Sequence, residues 1–290
     1  MNAFTIKDIE NLSGVKAHTI RIWEQRYGFL KPQRTDTNIR YYTNEELKII
    51  LNIALLNKYG IKISHINKMD VQEIHQKLQS LSHLQAQQER VINNLVSFMV
   101  DLDPDRFEEM LNEQIKEIAI ERTIIEILFP FLEKIGILWV INNINPAQER
   151  LVTNIIRQKI LVGIETTVSQ IKSNKVALLF LPEGEFHELG LLYVYYLLKT
   201  KGVKVLYLGA DIPVADLEYT VNAKKPDYLY SHLTTAANNF NMEKFMYNIH
   251  EKISDIPVIL SGPLTITYKK SIPRNFSFKK SLPEVKDFIS

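Results

Sequence analysis

The sequence has 290 residues, of which 46% are hydrophobic and 23% are charged, a composition typical of globular proteins with room for two or three domains. It contains no cysteine, which excludes disulfides, thiolate metal sites and cysteine nucleophiles. The net charge of +2 indicates little by itself, but residues 1–42 hold seven basic residues against four acidic ones. This modest positive patch is typical of a surface that meets a phosphate backbone.

The N-terminus lacks the basic and apolar regions of a signal peptide. The most apolar helical stretch, 123–141, is interrupted by Glu126, Glu133 and Lys134, which argues against a membrane span. We therefore expect a cytoplasmic protein that does not contact a membrane.

Residues 1–71 contain short helical patterns separated by a polar loop. Thr5 is a candidate N-cap for a first helix, Ser13-Gly14-Val15 forms a tight turn, and a second helix follows over residues 16–26. Residues 27–42 predict a two-stranded wing. A capping box of Thr43 and Glu46 then starts a third helix.

Residues 72–173 predict a bundle of about four helices. The breaks fall at Asp103-Pro104 and Asn145-Pro146, where proline disfavours helix in the residue before it, and more loosely near Ala119.

Residues 174–290 alternate buried strands with amphipathic helices. The strands are expected at 176–181, 203–208, 228–233 and 258–261, and the helices at 187–201, 214–223 and 240–253. Such alternation predicts a doubly wound parallel sheet, because parallel strands need crossover helices. The chain is thus expected to be multidomain, with a winged helix-turn-helix, a four-helix cap and a Rossmann-like α/β domain.

The first segment closely resembles the MerR family of transcription regulators. The resemblance lies in four runs of residues: Thr5–Ile9, Ser13–Val15, Thr19–Glu24 and Arg40–Tyr42. It implies a DNA-binding protein, not an enzyme, that binds a double-stranded operator as a homo-oligomer, with RNA polymerase as a further partner.

Outward-facing polar residues of the second helix and the wing are the candidate DNA contacts. Arginine can bind guanine through two hydrogen bonds, and histidine, threonine and tyrosine can reach base edges or phosphates. The candidates are His18, Thr19, Arg21, Arg26, Arg34, Arg40, Tyr41 and Tyr42. Trp23 is instead expected in the core.

A histidine follows the first strand of the α/β segment, where open α/β sheets bind ligands. The run Glu185-Phe186-His187-Glu188-Leu189-Gly190 places a carboxylate beside it that could fix its tautomer. Together with Asp211, and with Ser231 and Leu233 on the third strand, this E-x-H-x-x-G motif is similar to the cobalamin-binding domain.

That resemblance implies that His187 is the lower axial ligand of cobalt in adenosylcobalamin or methylcobalamin. It also implies that Ser231, Leu233 and a later Gly-Gly pair line a slot for the nucleotide tail. Here the pair is Gly262-Pro263, so the second glycine is missing.

The bundle carries a further similarity, to cobalamin-dependent MerR regulators of the CarA, CarH and LitR type. Trp139 and Glu149 match their W-x9-E-H signature, and in that family these residues surround the upper face of the cofactor. Val140 and Arg150 stand where the photoreceptors have histidines. Neither side chain is a good cobalt ligand.

The sequence thus favours a MerR-type regulator whose C-terminal domains sense cobalamin and alter oligomerisation and operator affinity. Two alternatives stay open. One is a regulator whose cobalamin-like domain is an interaction module without cofactor, and the other is a corrinoid carrier or a component of a cobalamin-dependent enzyme.

Overall fold

The computed structural model describes residues 3–140, 144–234 and 240–290, with the backbone alone for 137–140. The chain divides into two compact units, Met1–Ile156 and Arg157–Ser290. The division falls inside a long helix, so the domain boundaries expected at 71/72 and 173/174 stay predictions. Within the described residues, no helix is both long and apolar enough to cross a membrane.

The N-terminal unit begins with a helix-turn-helix. Helix α1 (Ile6–Ser13) starts at a capping box, in which the Thr5 side chain accepts from the Asp8 amide and the Asp8 carboxylate accepts from the Thr5 amide. Gly14 ends α1 with φ of 72°, a left-handed conformation that costs glycine little, and α2 (Ala17–Tyr27) follows. These elements confirm the prediction.

The wing is a small antiparallel hairpin of β1 (Gln33–Arg34) and β2 (Arg40–Tyr41). It continues directly into α3 (Asn44–Lys58), which begins at the predicted capping box of Thr43 and Glu46. Two short helices follow, α4 (Ile63–Ile66) and α5 (Val71–Gln79).

Four helical segments follow, and the breaks between them fall where the sequence predicts them. Proline opens both α7 and α10, and Ala119 breaks the chain with φ of 66°. The segments are α6 (Leu84–Val100), α7 (Pro104–Ile118), α8 (Ile120–Thr123) running through a π-helical turn (Ile124–Leu128) into α9 (Phe129–Val140), and α10 (Pro146–Thr166). The π-helical turn adjoins Pro130, whose nitrogen has no hydrogen to donate to a regular α-helical bond.

The C-terminal unit contains a five-stranded parallel sheet in the order β4-β3-β5-β6-β7. The strands are β3 (Val176–Pro182), β4 (Lys204–Ile212), β5 (Tyr228–His232), β6 (Val258–Ser261) and β7 (Phe276–Lys279). The helices are α11 (Leu189–Thr200), α12 (Val214–Lys224), α13 (Met242–Lys252), α14 (Pro263–Thr267) and α15 (Leu282–Ile289). The doubly wound sheet is confirmed, and β7, α14 and α15 are additional.

The strand order reverses at β3, since β4 lies on one side of it and β5 on the other. In open α/β sheets, the connections that leave two neighbouring strands at such a switch point run to opposite sides of the sheet. A crevice therefore forms at the carboxyl ends of these two strands. The central strands are buried almost throughout, so the sheet gives that crevice a rigid floor.

Candidate DNA-binding and cofactor sites

Helix α2 separates an apolar face from a polar one. Ile20 and Trp23 are buried, as expected for Trp23. His18, Arg21 and Arg26 are exposed, and Thr19 is half-buried. The helix therefore offers three long polar side chains to a ligand without disturbing its core.

The wing carries further charge next to this helix. Arg34 is exposed, and its guanidinium donates to the Asn38 side-chain oxygen at 2.6 Å across the hairpin turn. Arg40 is half-buried, with its Nε 3.4 Å from a carboxylate oxygen of Glu24 on α2. The half-buried Tyr41 donates its hydroxyl to the Gln33 side chain.

Tyr42 corrects the sequence-based expectation. Its side chain is fully buried, and its hydroxyl donates to Glu24 rather than facing outward toward phosphate. Burial, together with the Glu24 carboxylate, raises the pKa of Tyr42. Alternation along the strand explains the difference, since adjacent residues point to opposite faces and only one of Tyr41 and Tyr42 can face outward.

In the C-terminal unit, His187 lies in the loop between β3 and α11, at the carboxyl end of β3. Its Nδ1 lies 2.5 Å from Oε1 of Glu185, and the same oxygen accepts from the His187 amide at 2.9 Å. Glu185 is buried, while the His187 side chain is about half exposed. With Nδ1 donating to the carboxylate, Nε2 carries the lone pair that can ligate a metal.

Asp211 fixes the same loop from the end of β4. Its carboxylate accepts from the Gly184 amide at 2.8 Å, and its own amide donates to the Glu185 carbonyl at 3.3 Å. Asp211 has φ of 60°, an uncommon conformation for a residue with a side chain. It thus positions the loop that carries the Glu185–His187 pair.

Glu188, which the sequence analysis did not single out, is the centre of a polar cluster beside His187. Its carboxylate accepts from Arg157 Nε at 2.9 Å and from the Tyr207 hydroxyl at 3.0 Å. The Tyr207 ring stacks on Tyr195, with centroids 5.4 Å apart. The sequence near Glu188 does not reveal this cluster, because Arg157 and Tyr207 lie 31 and 19 positions away from it.

Ser231 and Leu233 flank the end of β5. Both are buried, and the Ser231 hydroxyl has no hydrogen-bond partner among the described residues. An unsatisfied buried hydroxyl is costly unless a ligand completes it. Gly262 has φ of 97°, and a Cβ there would lie 2.4 Å from the Leu233 carbonyl oxygen. Glycine is therefore required at position 262, because the backbone of Leu233 leaves no room for a side chain there.

His232 is a second residue that the sequence analysis left without a role. A Cβ on Gly190 would lie only 2.2 Å from Cδ2 of the His232 ring, so this glycine makes room for the imidazole. Ser261 Oγ lies 2.8 Å from His232 Nδ1 and accepts from the Tyr230 hydroxyl at 2.8 Å. Burial lowers the pKa of His232 to about 4.

The cap residues are described in part. Trp139 and Val140 lie in α9, and their side chains fall outside the described residues. Glu149 is half-buried in the first turn of α10, where it accepts from the Thr153 hydroxyl at 2.9 Å. Arg150 is exposed.

Two family models match the chain: that of the MerR HTH family regulatory protein over residues 4–72, and that of the B12 binding domain over residues 91–162. The chain combines a MerR helix-turn-helix domain with a B12-binding domain. The predicted resemblance to MerR regulators with a B12-binding domain is confirmed, and the matched B12 residues lie in the helical segments rather than in the α/β segment.

This MerR–B12 chain is homologous to two transcriptional repressors of Myxococcus xanthus. It is 28% identical to HTH-type transcriptional repressor CarA over 89% of this chain and 85% of that one. It is 29% identical to the repressor CarH over 89% of this chain and 88% of that one. Among solved structures, the monomethylamine corrinoid protein of Methanosarcina barkeri covers 69% of this chain and 97% of its own length, with a TM-score of 0.57. At a sequence identity of 15%, this structural similarity shows that the two proteins share a fold and nothing more.

We predict that His232, which is half-buried, makes the stability of this chain dependent on pH. Because its folded pKa of about 4 lies below the unfolded value of about 6.5, the unfolded chain binds an extra proton between these limits. Stability should therefore fall as the pH drops from about 6.5 to 4. Between pH 7 and 4.5 the loss attributable to His232 should be about 2 kcal/mol.

The measurement is urea unfolding, followed by circular dichroism, of wild type and of His232→Gln at both pH values. The glutamine variant should lack this part of the pH dependence. Equal losses in the two proteins would contradict the assignment.

Proposed function

We propose that this chain is a transcriptional regulator that binds an operator through α2 and the wing, and whose affinity for that operator depends on cobalamin. The proposal depends on two features that occur in one chain. Helix α2 of the MerR domain has an exposed polar face, and His187, oriented by the Glu185 carboxylate, lies at the switch point of the sheet. We further propose that it acts in the cytoplasm as a homo-oligomer, with RNA polymerase as a further partner, and is not an enzyme.

In this proposal α2 enters the major groove of the operator. Arg21 and His18, on the exposed face, would reach base edges, while Arg26 and the wing residue Arg34 would contact phosphates. Tyr42 would act as a positioning residue, because its hydroxyl and Arg40 both engage Glu24 on α2.

Replacing Arg21 by Gln is expected to weaken operator binding about tenfold, which corresponds to about 1.4 kcal/mol, because one good base contact is lost. The measurement is fluorescence anisotropy with labelled operator DNA at several salt concentrations. Arg106→Gln, which alters an exposed arginine on α7, is the matched control and should bind like wild type. Equal effects of the two substitutions would contradict the assignment of α2.

The residues around the end of β3 and β5 fit cobalamin. His187, oriented by Glu185, would ligate cobalt, and the Ser231 hydroxyl, which has no hydrogen-bond partner among the described residues, would bond the nucleotide tail. Leu233 and Gly262 would form the wall of the tail slot, and Gly190 and Asp211 would shape the loop and the helix start around it. When bound, cobalamin supplies a cobalt–carbon bond whose cleavage is chemistry of the cofactor.

By the resemblance to cobalamin-dependent MerR regulators, Trp139 and Glu149 would also contribute to holding the cofactor. Valine has no ligating atom and a guanidinium remains protonated, so Val140 and Arg150 cannot replace the histidines found in photoreceptors. We therefore propose that this chain holds cobalt through His187 alone.

Replacing His187 by Ala is expected to change the visible absorption spectrum of protein-bound cobalamin and to increase its loss on gel filtration. The fold should survive, because the His187 side chain is half exposed. His250→Gln, which alters a histidine on α13 that bonds Asn275, is the control. A second variant, Ser231→Ala, should weaken retention without the spectral change, since it touches only the tail slot.

The specific alternative is a regulator whose α/β unit is an interaction module without cofactor. The missing second glycine after Gly262 favours it. Wild-type protein that leaves gel filtration colourless after incubation with adenosylcobalamin and methylcobalamin would select this alternative while leaving the DNA-binding proposal intact.

A further inference from the structure

A cavity of about 310 Å³ lies within the N-terminal unit, between the turn of the helix-turn-helix and the helical bundle. Its walls come from the turn Ser13–Val15, from α3, from α6 and from α9. The volume is at the lower end of the range for small-molecule sites. Neither the DNA-binding surface nor the residues proposed for cobalamin include this cavity.

The cavity contains a half-buried cation, Lys134 on α9. Its Nζ donates to the Asn93 side-chain oxygen at 2.6 Å, and this amide is a neutral partner. Within the described part of the chain, no carboxylate lies within 4 Å of Lys134 Nζ. An ammonium removed from water is stabilised fully only when an anion faces it. Burial lowers the pKa of Lys134 to about 8, as expected for an incompletely compensated charge.

The other charges of the cavity leave one positive charge in excess. Lys58 and Glu89 form an ion pair with each other and thus neutralise one another. Together with Lys134 they are the only titratable side chains that line the cavity among the described residues. The rest of the wall is partly apolar, including Leu51 and Leu55.

We propose that this cavity binds a small organic monocarboxylate, whose carboxylate pairs with Lys134 while its apolar part packs against α3. A monoanion matches the single excess charge, whereas a phosphate dianion would exceed it. Because Ser13–Val15 form one wall, the occupant would contact the turn that joins α1 to α2, so the site lies at the base of the proposed recognition helix.

The test is competitive acetylation of the full chain by trace acetic anhydride at pH 8, with each lysine quantified by mass spectrometry of its peptide. Butyrate is the probe, and butyramide, which has the same shape without the charge, is the control. We expect butyrate to lower acetylation of Lys134 at least threefold. The exposed Lys77 should be unaffected, and butyramide should have no effect on either lysine.

A near-isosteric variant supplies an independent check. Asn93→Asp would place a carboxylate beside Lys134, so acetylation of Lys134 should fall without ligand and butyrate should protect it no further. Thermal unfolding of the variant verifies that it is folded. Unchanged acetylation of Lys134 in butyrate, or equal protection by butyramide, would overturn the proposal.

Discussion

The carboxylate of Glu24 is the constraint on which the proposed DNA-binding surface of α2 and the wing depends. It accepts from the buried Tyr42 hydroxyl and pairs with Arg40, so one side chain of α2 holds the first residue of the wing's second strand and the residue that follows this strand. Hydrogen bonds to a charged acceptor in a buried setting are among the stronger ones in proteins. These contacts hold the helix and the wing together as one surface in the absence of nucleic acid. Less conformational entropy is then lost when DNA binds.

In the C-terminal unit, carboxylates likewise hold a functional candidate in place, at the end of the sheet. Buried Glu185 holds His187, and Asp211 holds the loop backbone through Gly184, so a half-exposed imidazole stands on a rigid base. In the same unit, the Ser231 hydroxyl has no hydrogen-bond partner in the part of the chain that the structure describes. Neighbouring atoms occupy the space that a side chain at Gly190 or Gly262 would need. A site of this kind can accept a large cofactor with little rearrangement of His187, the proposed metal ligand, which is consistent with the proposed cobalamin response.

Local signals predicted most of the fold. The N-cap at Thr5, the capping box at Thr43, glycine at position 14 and proline at the starts of α7 and α10 act within a few residues, so the sequence predicts them. Strand β7 was missed because it has four residues and only Phe276 is buried. In the sites, Tyr42 was predicted on the wrong face, and Glu188 and His232 were given no role, for a different reason. Their contacts join residues 18 to 42 positions apart, which no local pattern encodes.

Regulation by cobalamin requires that the cofactor bind the operator-competent and incompetent states with different affinities. The most direct measurement is the affinity of the full chain for DNA from upstream of its own gene, at physiological salt and in darkness, with and without saturating adenosylcobalamin. The account predicts specific binding whose Kd changes at least tenfold on adding the cofactor, a coupling of about 1.4 kcal/mol. A Kd that stays the same while the protein demonstrably retains cobalamin would contradict it.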